Sequence, residues 1–136
     1  MNLVLDASAA VRIALGEPAP GERAFGERAD AVAEAECVIA PDLFVSEISN
    51  TMWKYVEGGY IEHEHAHELL DDIVGLVDEF VPAGELYHEA LSLSVSARHP
   101  VYDALYVVLA RRLEASLATS DKRLAALAAA HGTETI

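Results

Sequence analysis

Asn2-Leu3-Val4-Leu5-Asp6, running directly into Ala7-Ser8-Ala9-Ala10-Val11-Arg12-Ile13-Ala14-Leu15, decides the fold class. Leu3, Val4 and Leu5 form a short unbroken apolar run, the pattern of a strand covered on both faces, and Asp6 ends it. The alanine-rich stretch that follows predicts a helix over Ala7–Leu15. The same alternation recurs outward. Residues 16–36, rich in Gly, Pro, Glu and Ala, read as a turn and then a helix. Cys37, Val38 and Ile39 open a second strand over residues 37–40, stopped by Pro41. Asp42 is the expected N-cap of a helix ending at Gly58-Gly59. Residues 61–77 predict a helix with Leu69, Leu70, Ile73, Val74 and Val77 on its apolar face.

Glu79–Val81 follows as a third strand closed by Pro82, then a helix over residues 85–97, then one opened by His99-Pro100. Residues 116–119 make a fourth strand, Asp121 or Ser120 caps a last helix through Ala130, and residues 132–136 add a short final strand. Strands alternating with helices imply a single α/β domain over residues 1–136. Its expected architecture is a three-layer α/β/α sandwich around a central, mostly parallel sheet of four to five strands.

The chain has 136 residues, a size that buries about two-thirds of its unfolded surface. With 52% hydrophobic residues and a mean hydropathy of +0.19, a mainly disordered chain is excluded. The single cysteine, Cys37, excludes a disulfide framework and a Cys-rich zinc module. The longest apolar runs, such as Ala104 to Ala110, fall short of the ~20 residues that cross a bilayer, and the start lacks the basic segment of a signal peptide. The expected location is therefore cytoplasmic. Nine Lys+Arg against 23 Asp+Glu give a charge of −14, which argues against general electrostatic binding of nucleic acid. An RNA or DNA substrate needs local basic residues and metal ions. The acidity also suits a basic protein partner.

In an open parallel sheet, ligands bind beyond the C-terminal strand ends. Two strands here end in acids, Asp6 and Asp121, while Glu47 and Asp103 lie near helix starts, so all four carboxylates can meet on one rim. Each has a plain alternative. Asp6 and Asp121 can be N-caps, Asp103 can complement a helix dipole, and Glu47, Asn50 and Lys54 can be a solvated stripe. Jointly, four clustered carboxylates repel one another unless protonated or bound to a cation. A hard divalent ion, Mg²⁺ or Mn²⁺, meets that need and activates water for attack on phosphorus.

Four segments carry a resemblance: Leu3-Val4-Leu5-Asp6-Ala7-Ser8, Ser46-Glu47-Ile48-Ser49-Asn50, Tyr102-Asp103-Ala104-Leu105-Tyr106 and Leu117-Ala118-Thr119-Ser120-Asp121-Lys122-Arg123. In this order and spacing the chain resembles the PIN-domain ribonucleases, in particular the VapC-like toxins of type II toxin–antitoxin systems. The resemblance implies metal-dependent hydrolysis of RNA phosphodiester bonds, with Asp6 and Asp103 as principal Mg²⁺ (or Mn²⁺) ligands and Glu47 and Asp121 completing the acidic pocket. Ser8, Thr119 and Asn50 match supporting positions. A cognate antitoxin and a homodimer are the implied partners. Arg12, Lys54, Arg98, Lys122 and Arg123 are candidate RNA phosphate contacts, with Lys122 and Arg123 favoured because they follow Asp121 at a helix start.

Two other function classes compete. A different Asp-based, Mg-dependent phosphotransfer enzyme of the haloacid-dehalogenase type places an aspartate two residues after the first, where Ser8 stands. A catalytically inactive PIN-fold interaction module is signalled by lost acids, yet all four are in place. His63 and His67, at i and i+4, suggest a zinc pair, but the flanking acids are read as departing from zincin order and the segment as a solvated helix start. Cys37 is expected in the core. No Gly-x-Ser-x-Gly elbow, phosphate loop or dinucleotide fingerprint is present. Trp53, Tyr55, Tyr102 and Tyr106 are expected in the core or on a dimer face.

Overall fold

The computed structural model describes residues 1–16 and 25–136. Four strands, β1 (Asn2–Leu5), β2 (Cys37–Pro41), β3 (Glu79–Val81) and β4 (Ser116–Ala118), form an all-parallel sheet in the order β3-β2-β1-β4. Leu3, Val4 and Leu5 are each wholly buried. Because successive strand residues point to opposite faces, both faces of the sheet are covered. This is the expected three-layer class.

The described helices are α1 (Ala7–Leu15), α2 (Phe25–Glu34), α3 (Leu43–Glu57), α4 (His63–Val74), α5 (Tyr87–Ala97), α6 (Val101–Leu113) and α7 (Lys122–Ala130), with a 3-10 turn at Ala83–Glu85. They pack in two groups. Helix α1 touches α2, α3 and α4, whereas α6 touches α5 and α7 and lies on β1 and β2. Helix α6 is the most enclosed, with every residue from Ala104 to Ala110 buried, which explains its apolar run on all sides. None of the described helices is long and apolar enough to cross a membrane.

Several expectations shift at the edges. Pro41 does not stop β2; it is the last strand residue, paired with Val81. Asp42 makes no side-chain cap for α3, and its carboxylate instead accepts from the Ala83 amide at 3.1 Å, fastening the turn after β3. The final strand is reduced to one parallel bridge between Leu117 and Thr135. Residues 17–24 of the acidic stretch lie outside the described residues.

Candidate active site

Strand β1 sits between β2 and β4, so the chain leaves it in one direction for β2 and later returns to its other side as β4. The crevice at that reversal lies between the C-terminal ends of β1 and β4, the usual ligand position in such sheets. Asp6 occupies it. Its amide donates to the Ala118 carbonyl at 3.1 Å, extending the β1–β4 ladder, and its side chain caps α1 by accepting from the Ala9 amide at 2.9 Å. The cap and the site are thus one residue.

Asp6 is only 4% exposed and is held from several sides. The Ser8 hydroxyl lies 2.8 and 2.9 Å from its two oxygens, and Thr119 Oγ1 donates to Oδ2 at 2.6 Å. Ser8 Oγ also accepts from the Ser120 amide, and Thr119 Oγ1 from the Asp121 amide. The two supporting hydroxyls therefore lock the loop after β4 onto the end of β1. Burial pushes the Asp6 carboxyl up to about 6 despite these donors, and the nearby charge of Glu47 pushes in the same direction.

Glu47 enters from α3. Burial raises its proton affinity, the Tyr106 hydroxyl opposes that by donating to Oε1 at 2.6 Å, and the charge of Asp103 adds to the rise. Asp103, in the first turn of α6, has its Oδ2 2.6 Å from His99 Nε2. Asp6, Glu47 and Asp103 thus share one electrostatic neighbourhood. Asp121 stands beside it. Its Oδ1 accepts from the Arg123 and Leu124 amides at 2.8 and 3.2 Å as the N-cap of α7, and its connection to Asp6 runs through Thr119.

Asn50, Arg12 and Lys54 line an open groove of about 410 Å³ with Glu47, Ser8 and Tyr55. Lys122 and Arg123 are exposed on the first turn of α7, and Arg98 is the left-handed residue that ends α5. Three further residues, His99, Tyr106 and Arg28, touch the site without a role in it assigned from sequence. Tyr106 lies three residues after Asp103 on α6, so helical spacing is its signal, whereas His99 precedes the helix and its N-cap Pro100 and reaches Asp103 from outside it. Arg28 of α2 is buried near Asp6, whose charge supports its guanidinium against the effect of burial, and it donates to the Ile136 carbonyl at 3.4 Å. No local pattern in the sequence announces it. Cys37 has its thiol pushed up by burial and by Asp78 and Glu79, the opposite of a reactive thiolate.

A family model described as PIN domain matches residues 3–130. Ribonuclease VapC3 of Pyrobaculum aerophilum is 33% identical over 132 residues, covering 92% of this chain and 93% of that protein. Ribonuclease VapC1 of Mycobacterium tuberculosis is 32% identical over 125 residues, 90% of this chain and 88% of that protein. Among solved structures, PAE2754 from Pyrobaculum aerophilum superposes with a TM-score of 0.74 at 21% identity, covering 99% of this chain and 83% of the other. VapBC-1 from nontypeable Haemophilus influenzae gives 0.66 at 13% identity, covering 100% and 97%. The two structural neighbours share the fold, and the family model and the sequence relatives span the segments that carry the acids: the chain belongs to the PIN domain family.

Proposed function

We propose that the chain is a divalent-metal-dependent endoribonuclease, the toxin of a type II toxin–antitoxin module. The observation that carries this is Asp6, a carboxylate at the sheet's switch point that burial, with a smaller push from the charge of Glu47, raises to about 6. Such a group is costly to ionise without a cation. The donors are carboxylate and hydroxyl oxygens, which suit Mg²⁺ or Mn²⁺. Among the described residues no three His, Cys, Asp or Glu side chains are grouped to enclose an ion. The coordination assigned in this reading is therefore the open one usual for Mg²⁺, one or two carboxylates with several waters. Asp6 and Asp103 are the direct ligands in this reading, with Glu47 and Asp121 acting through water.

When bound, the ion polarises the scissile phosphate and makes a water more acidic. The rest falls to the chain. Ser8, Thr119 and the Ala9 amide hold the Asp6 carboxylate in one orientation. Tyr106 fixes Glu47, whose raised proton affinity suits it to accept a proton from the attacking water. Arg12 and Lys54, on the groove beside Glu47, hold RNA phosphates, with Lys122 and Arg123 extending the track.

The two ribonucleases named VapC support the activity. The −14 charge suits a basic antitoxin, and the apolar groove between α3 and α4 gives it a place to dock. A homodimer through the exposed α5 stripe of Tyr87, Leu91 and Val95, and a cytoplasmic location, complete the reading.

The test is Mn²⁺ binding by calorimetry on metal-stripped protein, comparing wild type with Asp6→Asn and Asp103→Asn, followed by cleavage of an RNA pool with Mg²⁺ and with chelator. Binding and cleavage lost in both variants support the reading. Failure of the wild type to bind metal or cut RNA, with the pool present, overturns it.

A further inference from the structure

The first turns of α4 carry His63-Glu64-His65-Ala66-His67. This corrects the sequence reading of the flanking acids, because the segment does spell His-Glu-x-x-His, the order in which two histidines of one helix face share a metal ion. The side chains take up that arrangement. His63 Nε2 and His67 Nε2 lie 3.1 Å apart, with ring centroids at 4.9 Å. Two nitrogens each about 2.0–2.1 Å from one tetrahedral ion stand a little over 3 Å from each other, so the rings need little rearrangement to chelate.

We propose that His63 and His67 form a two-histidine site for a late transition-metal ion, Cu²⁺ or Zn²⁺, on the rim of the α3–α4 groove. Imidazole is the ligand type these ions favour, and Cu²⁺ stands highest in the divalent affinity order. Without metal, the short contact is an Nε2–H···Nε2 hydrogen bond, so chelation needs the donor ring to move its proton to Nδ1, leaving both Nε2 lone pairs for the ion with no net change in protons. The positive end of the α4 dipole opposes a cation here, and the carboxylate of Glu64 in the same turn offsets it.

Among the described residues no third His, Cys, Asp or Glu joins the pair, so water fills the remaining positions. Glu64 then has no enclosed, three-ligand zinc to work beside, and the site binds metal without forming a zincin protease. Both rings are exposed and line the same 510 Å³ groove as Trp53, the only tryptophan in the chain. The site is separate from the Asp6 centre and stands whether or not the ribonuclease reading holds.

Trp53 supplies the readout. Cu²⁺ titrated into the protein should quench its fluorescence to saturation at one equivalent, and Zn²⁺ in excess should reverse the quenching by competition. The saturable phase should be lost in His63→Ala and in His67→Ala, and kept in His65→Ala and in Asp6→Asn/Asp103→Asn. In the unsubstituted protein, the imidazole nitrogen resonances of His63 and His67 should shift together on adding Zn²⁺, a measurement independent of any variant's folding. Quenching that survives loss of either histidine, or that vanishes with Asp6 and Asp103, overturns the proposal. So do imidazole resonances that Zn²⁺ leaves in place.

Discussion

Thr119 Oγ1 donates a 2.6 Å hydrogen bond to Asp6 Oδ2 across 113 residues of sequence, joining the ends of two adjacent parallel strands. The same oxygen accepts from the Asp121 amide, so one hydroxyl serves two of the four acids.

Thr119→Val keeps the shape and removes the hydroxyl. The bond it breaks is one that lowers the Asp6 pKa, so that carboxyl should rise above its present value of about 6. A loss of about 1–1.5 kcal/mol corresponds to about one pH unit on the acid limb of the activity profile. The Asp121 amide also loses its acceptor, so the melting temperature should fall as well. Cleavage rate against pH, alongside thermal melts, checks both. An acid limb that stays in place shows that Asp6 does not set it.

Asp6 makes a second demand, on stability. Its carboxyl is raised in the folded state from 3.8 to about 6, so the native protein holds the proton more tightly than the unfolded chain does. The stabilisation this gives is fully present below pH 4 and disappears as the pH climbs through 6, because the ionised form is costly to bury. At roughly 1.36 kcal/mol per unit, the full swing is on the order of 3 kcal/mol. Urea midpoints in chelator should show wild type losing stability between these pH values relative to Asp6→Asn. Added Mg²⁺ should shrink the difference by stabilising the ionised form.

The parts of this site that follow from local chemistry are legible in the sequence, and the parts that depend on packing are not. Leu3-Val4-Leu5-Asp6 announces a buried strand with an acid at its end, and parallel topology then sends that acid to the rim. Asp42 misleads because an aspartate before a helix is also well placed to bind a neighbouring turn, and the Ala83 amide wins it. Pro41 can remain in β2 because proline is tolerated at a strand end, where a ladder donor can be spared. Arg28 is invisible because its value lies in contacts with Ile136 and the field of Asp6, and helix pattern encodes neither. The order of β3-β2-β1-β4 likewise needs the tertiary structure.

Tyr106 reads from sequence as core or dimer face, and it is both core and machinery. It is 2% exposed, yet its hydroxyl holds Glu47 Oε1 at 2.6 Å. Tyr106→Phe leaves the packing intact and removes the donor, so Glu47 should bind its proton more tightly. An enzyme that needs ionised Glu47 should then lose activity first at low pH, with the acid limb displaced upward. The cost in stability should stay within about 0.5–1.5 kcal/mol, because the ring still fills its place. Activity profiles and melts of the two proteins separate these effects. An unchanged profile with a lowered melting temperature leaves Tyr106 as a packing residue.

Lys54 tests the substrate path. It is exposed on α3, on the groove that holds Glu47 and Arg12, in a chain whose −14 charge otherwise repels RNA. If Lys54 meets one phosphate of single-stranded RNA, Lys54→Ala should flatten the slope of log affinity against log salt by about 0.7. Binding should be measured in an Asp6→Asn background, so that cleavage does not consume the probe. Arg112→Ala is the matched control, because its guanidinium is engaged with Glu89 at 2.8 Å on α5, away from the groove. A flatter slope for Lys54→Ala alone places RNA along α3. Equal slopes for both variants and the parent move the path to the α7 side, where Lys122 and Arg123 stand next to be replaced.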